Sequence, residues 1–167
     1  IISIISDTHG VLDKSIEEHL SRSDIIIHAG DVMSIDLIKK LKNNYKQTYI
    51  VAGNNDIPER YDHTEDKKLI NNLNKIETIK VFNEAITVTH GDQFGSMPSH
   101  SELRDSFPDS KLIIYGHTHY QVFDDSQSPW VMNPGASGHT RNMNGGPCFS
   151  QIHIDNGLWN IKQFCFN

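Results

Sequence analysis

At 167 residues and a formal net charge of −6, the chain has the length of one ordinary domain and is too acidic for a nucleic-acid surface built on clustered Lys and Arg. No apolar run reaches the roughly 20 residues that a membrane-spanning helix needs, and no signal peptide with a basic start is visible. The acidic balance favours a local site for cations.

The chain opens inside an apolar run, "IISIIS", which reads as a fully buried strand, so a start upstream of Ile1 is expected. "VLDKSIEEHLSRS" follows with Leu12, Ile16 and Leu20 at helical spacing. The pattern repeats in "DIIIHAGD" as strand, "SIDLIKKLKN" as helix with Ile35, Ile38 and Leu41 on one face, and "QTYIVAGN" as a third strand. Strand and helix in alternation mark an α/β fold with parallel strands.

Beyond Pro58, "EDKKLINNLNK" predicts a helix with Leu69 and Leu73 inward, weakened by its three asparagines. "IETIKVF", "NE" and "AITVTH" predict two strands around a tight turn, and "SHSELRDSF" a short capped helix. "KLIIYGH", "YQVF", "PWVM", "CFSQIHI" and "LWNIKQFCF" complete the chain as strands. One domain over 1–167 is expected, α/β first and mostly β afterwards. Cys148 and Cys165 form no CxxC pair and are too few for a disulfide framework, so reduced thiols and a cytoplasmic location are expected.

The strands end alike: "SDTHG", "HAGD", "AGNND", "THGD" and "YGHTH" each deliver Asp, Asn or His. In α/β sheets, ligands bind beyond the carboxyl ends of the strands. Asp7, His9, Asp31, Asn54, His90, His117 and His119 are therefore expected to share one crevice. Oxygen and imidazole donors suit Mn, Fe, Co, Ni and Zn, and seven of them suffice for two ions if Asp31 bridges both. Singly, each Asp or Asn has a plainer reading as a turn residue or helix cap, and each His as a satisfied polar side chain. Turn chemistry alone would also have supplied Ser, Pro or Lys at five successive strand ends. Ser/His/Asp chemistry is unsupported, since no G-x-S-x-G elbow appears, and no P-loop, dinucleotide fingerprint or HExxH occurs.

"SDTHG", "GD", "GNND", "THGD", "GHTH" and "NPGA", in this order, resemble the calcineurin-like metallophosphoesterase superfamily, and within it the small single-domain phosphodiesterase branch of bacteria and archaea. A retromer subunit, vacuolar sorting protein 29, is similar to that branch too. The resemblance implies two mixed β-sheets packed as a sandwich flanked by helices, an α/β/β/α arrangement. It implies a first metal site of Asp7, His9, Asp31 and His119, and a second of Asp31, Asn54, His90 and His117. Two divalent ions, manganese foremost and nickel, iron, zinc or cobalt as alternatives, would activate a hydroxide for in-line attack on a small phosphoester. Asn54 and Asp56 then carry catalytic roles, Asn54 toward the phosphoryl oxygens and Asp56 in orienting position 55.

The chain departs from the superfamily pattern in three places. Asn55 stands where many members have a His that protonates the leaving group, and an Asn cannot act in that way. Asp92 follows His90 and Gly91 where a second His is frequent, and "NPGAS" is followed by Arg141. Asn55 and Asp92 are thus expected at the substrate, and Arg141 either there on a phosphate or bracing its own loop. The rival reading is a non-catalytic protein-interaction scaffold on the same fold.

Overall fold

The computed structural model describes residues 1–138 and 145–166. The first sheet has the order β10-β9-β1-β2-β3 and comprises β1 (Ile2–Ile5), β2 (Ile25–His28), β3 (Gln47–Ile50), β9 (Cys148–Asp155) and β10 (Leu158–Cys165). The second has the order β4-β5-β6-β8-β7 and comprises β4 (Ile76–Val81), β5 (Glu84–Thr89), β6 (Leu112–Ile114), β7 (Gln121–Asp124) and β8 (Trp130–Pro134). β1, β2 and β3 run parallel, as do β5, β6 and β8. Their carboxyl ends therefore emerge on one side of each sheet.

Side-chain alternation builds the layers. Ile4 and Ile27 point between the sheets and meet Ile86, Val88, Leu112, Ile114 and Met132. Their neighbours Ile5 and Ile26 point the other way, onto helices α1 (Lys14–Leu20), α2 (Ile35–Asn44) and α3 (Thr64–Asn71) through Ile16, Leu20, Ile38, Leu41 and Ile70. α4 (His100–Ser106) covers the second sheet by packing Leu103 against Ile113 and Val131. Each of these aliphatic side chains gains about 1.5–3 kcal/mol on full burial. The expected α/β/β/α sandwich is present.

Caps set the helix ends. Asp13 accepts from the Ser15 amide at 2.9 Å and starts α1 there, two residues later than the apolar spacing of Leu12 suggests; Leu12 is still buried, but ahead of the helix. Ser34 and Ser99 cap α2 and α4 in the same manner.

The cysteines correct the expectation of reduced thiols. Cys148 and Cys165 stand opposite each other in the antiparallel β9–β10 register and are joined as a disulfide, with Cα atoms 4.2 Å apart. Sequence spacing does not announce this pair; hairpin register creates it. The cytoplasmic expectation loses that support, and what stands is that no helix among the described residues is long and apolar enough to cross a membrane.

His28, at the end of β2, is fully buried. Its Nε2 lies 3.0 Å from Thr8 Oγ1, and its Nδ1 has no hydrogen-bond partner among the described residues. Burial pushes its pKa down to about 4; Asp56, Asp7 and Asp31 pull the other way, and His90 adds to the depression. An unfolded His titrates near 6.5, so between there and pH 4 the unfolded chain binds the extra proton and stability falls as pH falls. The urea midpoint of metal-free protein should drop between pH 7 and pH 5, and drop less in His28→Gln. Equal drops would place the acid sensitivity elsewhere.

Candidate metal centre

The seven predicted donors follow five strands of both sheets: Asp7 and His9 after β1, Asp31 after β2, Asn54 after β3, His90 after β5, and His117 and His119 after β6. Five of them, Asp7, His9, Asp31, His117 and His119, have positive φ, from 44° to 68°. A side chain in that region crowds the backbone at a cost of roughly 1–2 kcal/mol per residue. Cross-loop hydrogen bonds hold the strain in place: the Asp7 amide donates to the Gly30 carbonyl at 3.0 Å, the His9 amide to Asp31 at 3.0 Å, and the Gly116 amide to His90 at 3.0 Å. Two glycines are required by proximity. A Cβ at Gly53 would run into the Asp31 carboxylate, and one at Gly116 into Ser6 Oγ and Asp7.

Side-chain atoms then converge. Asp7 Oδ2 accepts from Ser6 Oγ at 2.6 Å and from the His117 amide at 3.1 Å, which turns Oδ1 toward the imidazoles, with His119 Nε2 at 3.2 Å and His90 Nε2 at 4.0 Å. His9 Nε2 and His119 Nε2 face each other at 3.2 Å. Asp31 Oδ2 lies 3.5 Å from His90 Nε2 and 3.9 Å from His9 Nε2, between the two clusters. Asn54 Oδ1 lies 3.2 Å from His90 Nε2, and the His117 ring stands 5.1 Å from that of His90. A cavity of about 410 Å³, lined by His9, Asp31, Asn54, Asn55, His117, Thr118, His119 and Tyr120, opens over these atoms.

Proximity of opposite charges tunes the buried groups. Burial opposes the charge of Asp31, yet the hydrogen bond and charge of His90 and two donors from Asn55 hold its pKa well below the usual carboxylate range. Burial works likewise against a charged His90; the bond to Asp31 and the charges of Asp7 and Asp31 outweigh it and raise the pKa to about 9. His117 is lowered, by burial first and by the His90 charge second.

Divalent ions fit these residues on two observations. Asp7 Oδ1 is buried and, among the described residues, has only the ion-pair approaches of the His119 and His90 imidazoles and no hydrogen bond, an uncommon and costly state for a carboxylate oxygen. Two donor groups, Asp7/His9/His119 and Asp7/Asp31/His90, each bring their ligand atoms within 4.8 Å of one another, so Asp7 belongs to both and Asp31 to the second.

The remaining expected residues take different places. Asp56 does not line the cavity: its carboxylate accepts from the amides of Gly53 at 2.9 Å, Met33 at 2.8 Å and Val32 at 3.2 Å, bracing the loop after β3 against the loop after β2. Asn55 turns inward, its backbone and side-chain nitrogens each 2.8 Å from Asp31. Asp92 lies 3.8 Å from Lys75 Nζ and contributes a charge felt at His117. Arg141 lies outside the described residues. Sequence reasoning missed Ser6, which orients Asp7. It also missed Asn133, whose amide donates to the Gly116 carbonyl at 2.6 Å and to Thr118 Oγ1 at 3.1 Å. "SD" and "NPGA" carried those signals.

Comparison with known proteins supports the same reading. The calcineurin-like phosphoesterase superfamily domain matches residues 1–157. A phosphodiesterase of Methanocaldococcus jannaschii is 34% identical over 143 residues, covering 80% of this chain and 82% of its own length. Among solved structures, a single mutant of Vps29 from Entamoeba histolytica superposes with a TM-score of 0.75 at 18% identity over 99% of each chain, a likeness of fold. A structure titled as a novel archaeal phosphodiesterase gives 0.68 at 25% identity over 98% of this chain and 99% of that one.

Manganese held at 100 times its dissociation constant should stabilise the fold by about 2.7 kcal/mol, read as a rise in Tm. Asp7→Asn, which alters a donor shared by both groups, should abolish most of that rise. An undiminished rise would remove Asp7 from the ligand set.

Proposed function

The chain belongs to the calcineurin-like phosphoesterase superfamily, and from that premise we propose that it is a divalent-metal-dependent phosphodiesterase acting on a small phosphoester. The observation that carries this reading is the convergence of Asp7, His9, Asp31, His90, His117 and His119 beneath an open cavity, with Asp7 Oδ1 buried and without a hydrogen bond among the described residues. The proposed ligand sets are Asp7, His9, Asp31 and His119 for one ion, and Asp31, Asn54, His90 and His117 for the other, manganese being the proposed metal.

Bound there, the ions would supply a water acidified toward neutral pH and positive charge for the phosphoryl oxygens. The chain's own residues do the positioning. Asn54 keeps its amide hydrogens available to a phosphoryl oxygen while its Oδ1 faces His90. Asn55 fixes both oxygens of Asp31, and Ser6 with the His117 amide fixes Asp7. Such preset donors cost no reorganisation when charge develops in the transition state.

A diester is proposed over a monoester on the likeness to a phosphodiesterase, while position 55 bears on the leaving group. No imidazole or carboxylic acid occupies position 55, and its amide cannot protonate a departing alkoxide, so leaving groups that tolerate negative charge suit the site. The phosphodiesterase of Methanocaldococcus jannaschii supports the same choice. The scaffold alternative has fold likeness on its side and the full donor set against it.

Manganese-loaded protein should hydrolyse a bis-aryl phosphate faster than the mono-aryl analogue. Asp31→Ala should lower kcat/KM for the diester by at least about a thousandfold, a loss of about 4 kcal/mol in transition-state stabilisation, with circular dichroism unchanged. Hydrolysis of neither substrate by the wild type would overturn the reading.

A further inference from the structure

Among the described residues, the cavity wall holds histidines, asparagines and an aspartate but no Lys or Arg. A permanent positive charge nevertheless sits at its rim. Arg60 ends the short turn Pro58–Arg60 that follows the "GNND" loop. Its guanidinium is held at two points: Nη2 donates to Asn55 Oδ1 at 3.2 Å, and Nη1 reaches Met33 Sδ at 3.6 Å. Both neighbours lead into the metal centre. Asn55 lines the cavity and donates twice to Asp31, and Met33 Sδ lies 3.2 Å from His9 Nδ1.

Exposed arginines are commonly solvated and idle, or spent in an ion pair. Arg60 differs on both counts. Two contacts fix its head beside the cavity, and among the described residues no carboxylate pairs with it. A thioether is a weak acceptor and Asn55 uses one oxygen, so most of the five guanidinium N–H groups are left for a ligand. Their planar fork matches the two oxygens of a carboxylate or phosphate.

We propose that Arg60 is a specificity-determining residue that binds a second anionic group, a carboxylate or phosphate carried on the organic part of the substrate. This rests on the phosphodiesterase reading and narrows it to phosphoesters whose ester substituent is itself negatively charged. The phosphorus sits over the metal donors, the substituent passes Asn55, and its terminal anion meets the guanidinium. Asn55 thereby has a double office: it orients Asp31 on one side and the guanidinium on the other.

The test measures binding to manganese-loaded protein by calorimetry, without turnover, using phenyl phosphonate and its para-carboxylated analogue. Wild type should bind the carboxylated ligand about tenfold more tightly than the plain one, the size of one charge-assisted contact near the surface. Arg60→Ala should bring that ratio close to one, and Arg60→Lys should keep part of it. A bracing role through Asn55 and Asp31 would weaken both ligands alike and leave the ratio intact, which would overturn the inference, as would a wild-type ratio near one or no binding of either ligand. The bis-aryl phosphate assay stands apart: diester hydrolysis by wild type with a ratio near one sinks the Arg60 role alone.

Discussion

Asp7 joins the two sheets. It follows β1 of the first sheet, yet its Oδ2 accepts the backbone amide of His117, which follows β6 of the second, at 3.1 Å. Ser6 takes the same oxygen at 2.6 Å. Both bonds fix one lone-pair direction and leave Oδ1 for the imidazoles of His90 and His119. The aliphatic layer between the sheets, from Ile4 and Ile27 to Ile114 and Met132, sets the spacing at which that carboxylate can reach. A glycine at 116 is what lets the second sheet's loop approach so closely. Packing of the core and presentation of the donors are thus one problem, solved at residue 7.

The same loops carry the strain of the fold. Asp7, His9, Asp31, His117 and His119 hold left-handed conformations that glycine would adopt at less cost, but glycine has no donor to offer. At roughly 1–2 kcal/mol each, the five together approach the net stability of a typical domain, about 5–15 kcal/mol. The compensation is structural: each loop is hydrogen-bonded to its neighbour, and Asp56 ties three amides of two loops with one buried carboxylate. Relief of repulsion and desolvation by a bound cation would add to it, since a buried carboxylate oxygen without a donor is costly on its own.

Much of this was legible in the residues. The parallel order of β1, β2 and β3 followed from apolar runs alternating with helical spacing, and the shared crevice from Asp, Asn or His after each run. Both are local patterns repeated along the chain. What could not be read depends on register and on side-chain direction. The Cys148–Cys165 pair exists because β9 and β10 align those two positions, which spacing does not reveal. Asp56 reads like a site residue because it follows two asparagines, but the chain turns after Asn55 and points its carboxylate at backbone amides instead of the cavity. Ser6 and Asn133 were hidden for the opposite reason: small polar residues next to conspicuous ones, their part visible only once the carboxylate and carbonyl they hold are in place.

The loop from Gly53 to Arg60 shows how one short stretch divides its labour by direction alone. Gly53 admits the Asp31 carboxylate, Asn54 brings its Oδ1 beside His90 Nε2, Asn55 clasps Asp31 with two donors and Arg60 with its oxygen, and Asp56 holds the whole turn to the neighbouring loop. Two adjacent asparagines of identical chemistry differ only in the backbone that carries them. Because the Asn55 amide spends its nitrogen on Asp31, its oxygen must face outward, and a cationic neighbour is the partner that stabilises an outward oxygen. Asp31 inside and the guanidinium outside are therefore linked through a single planar group.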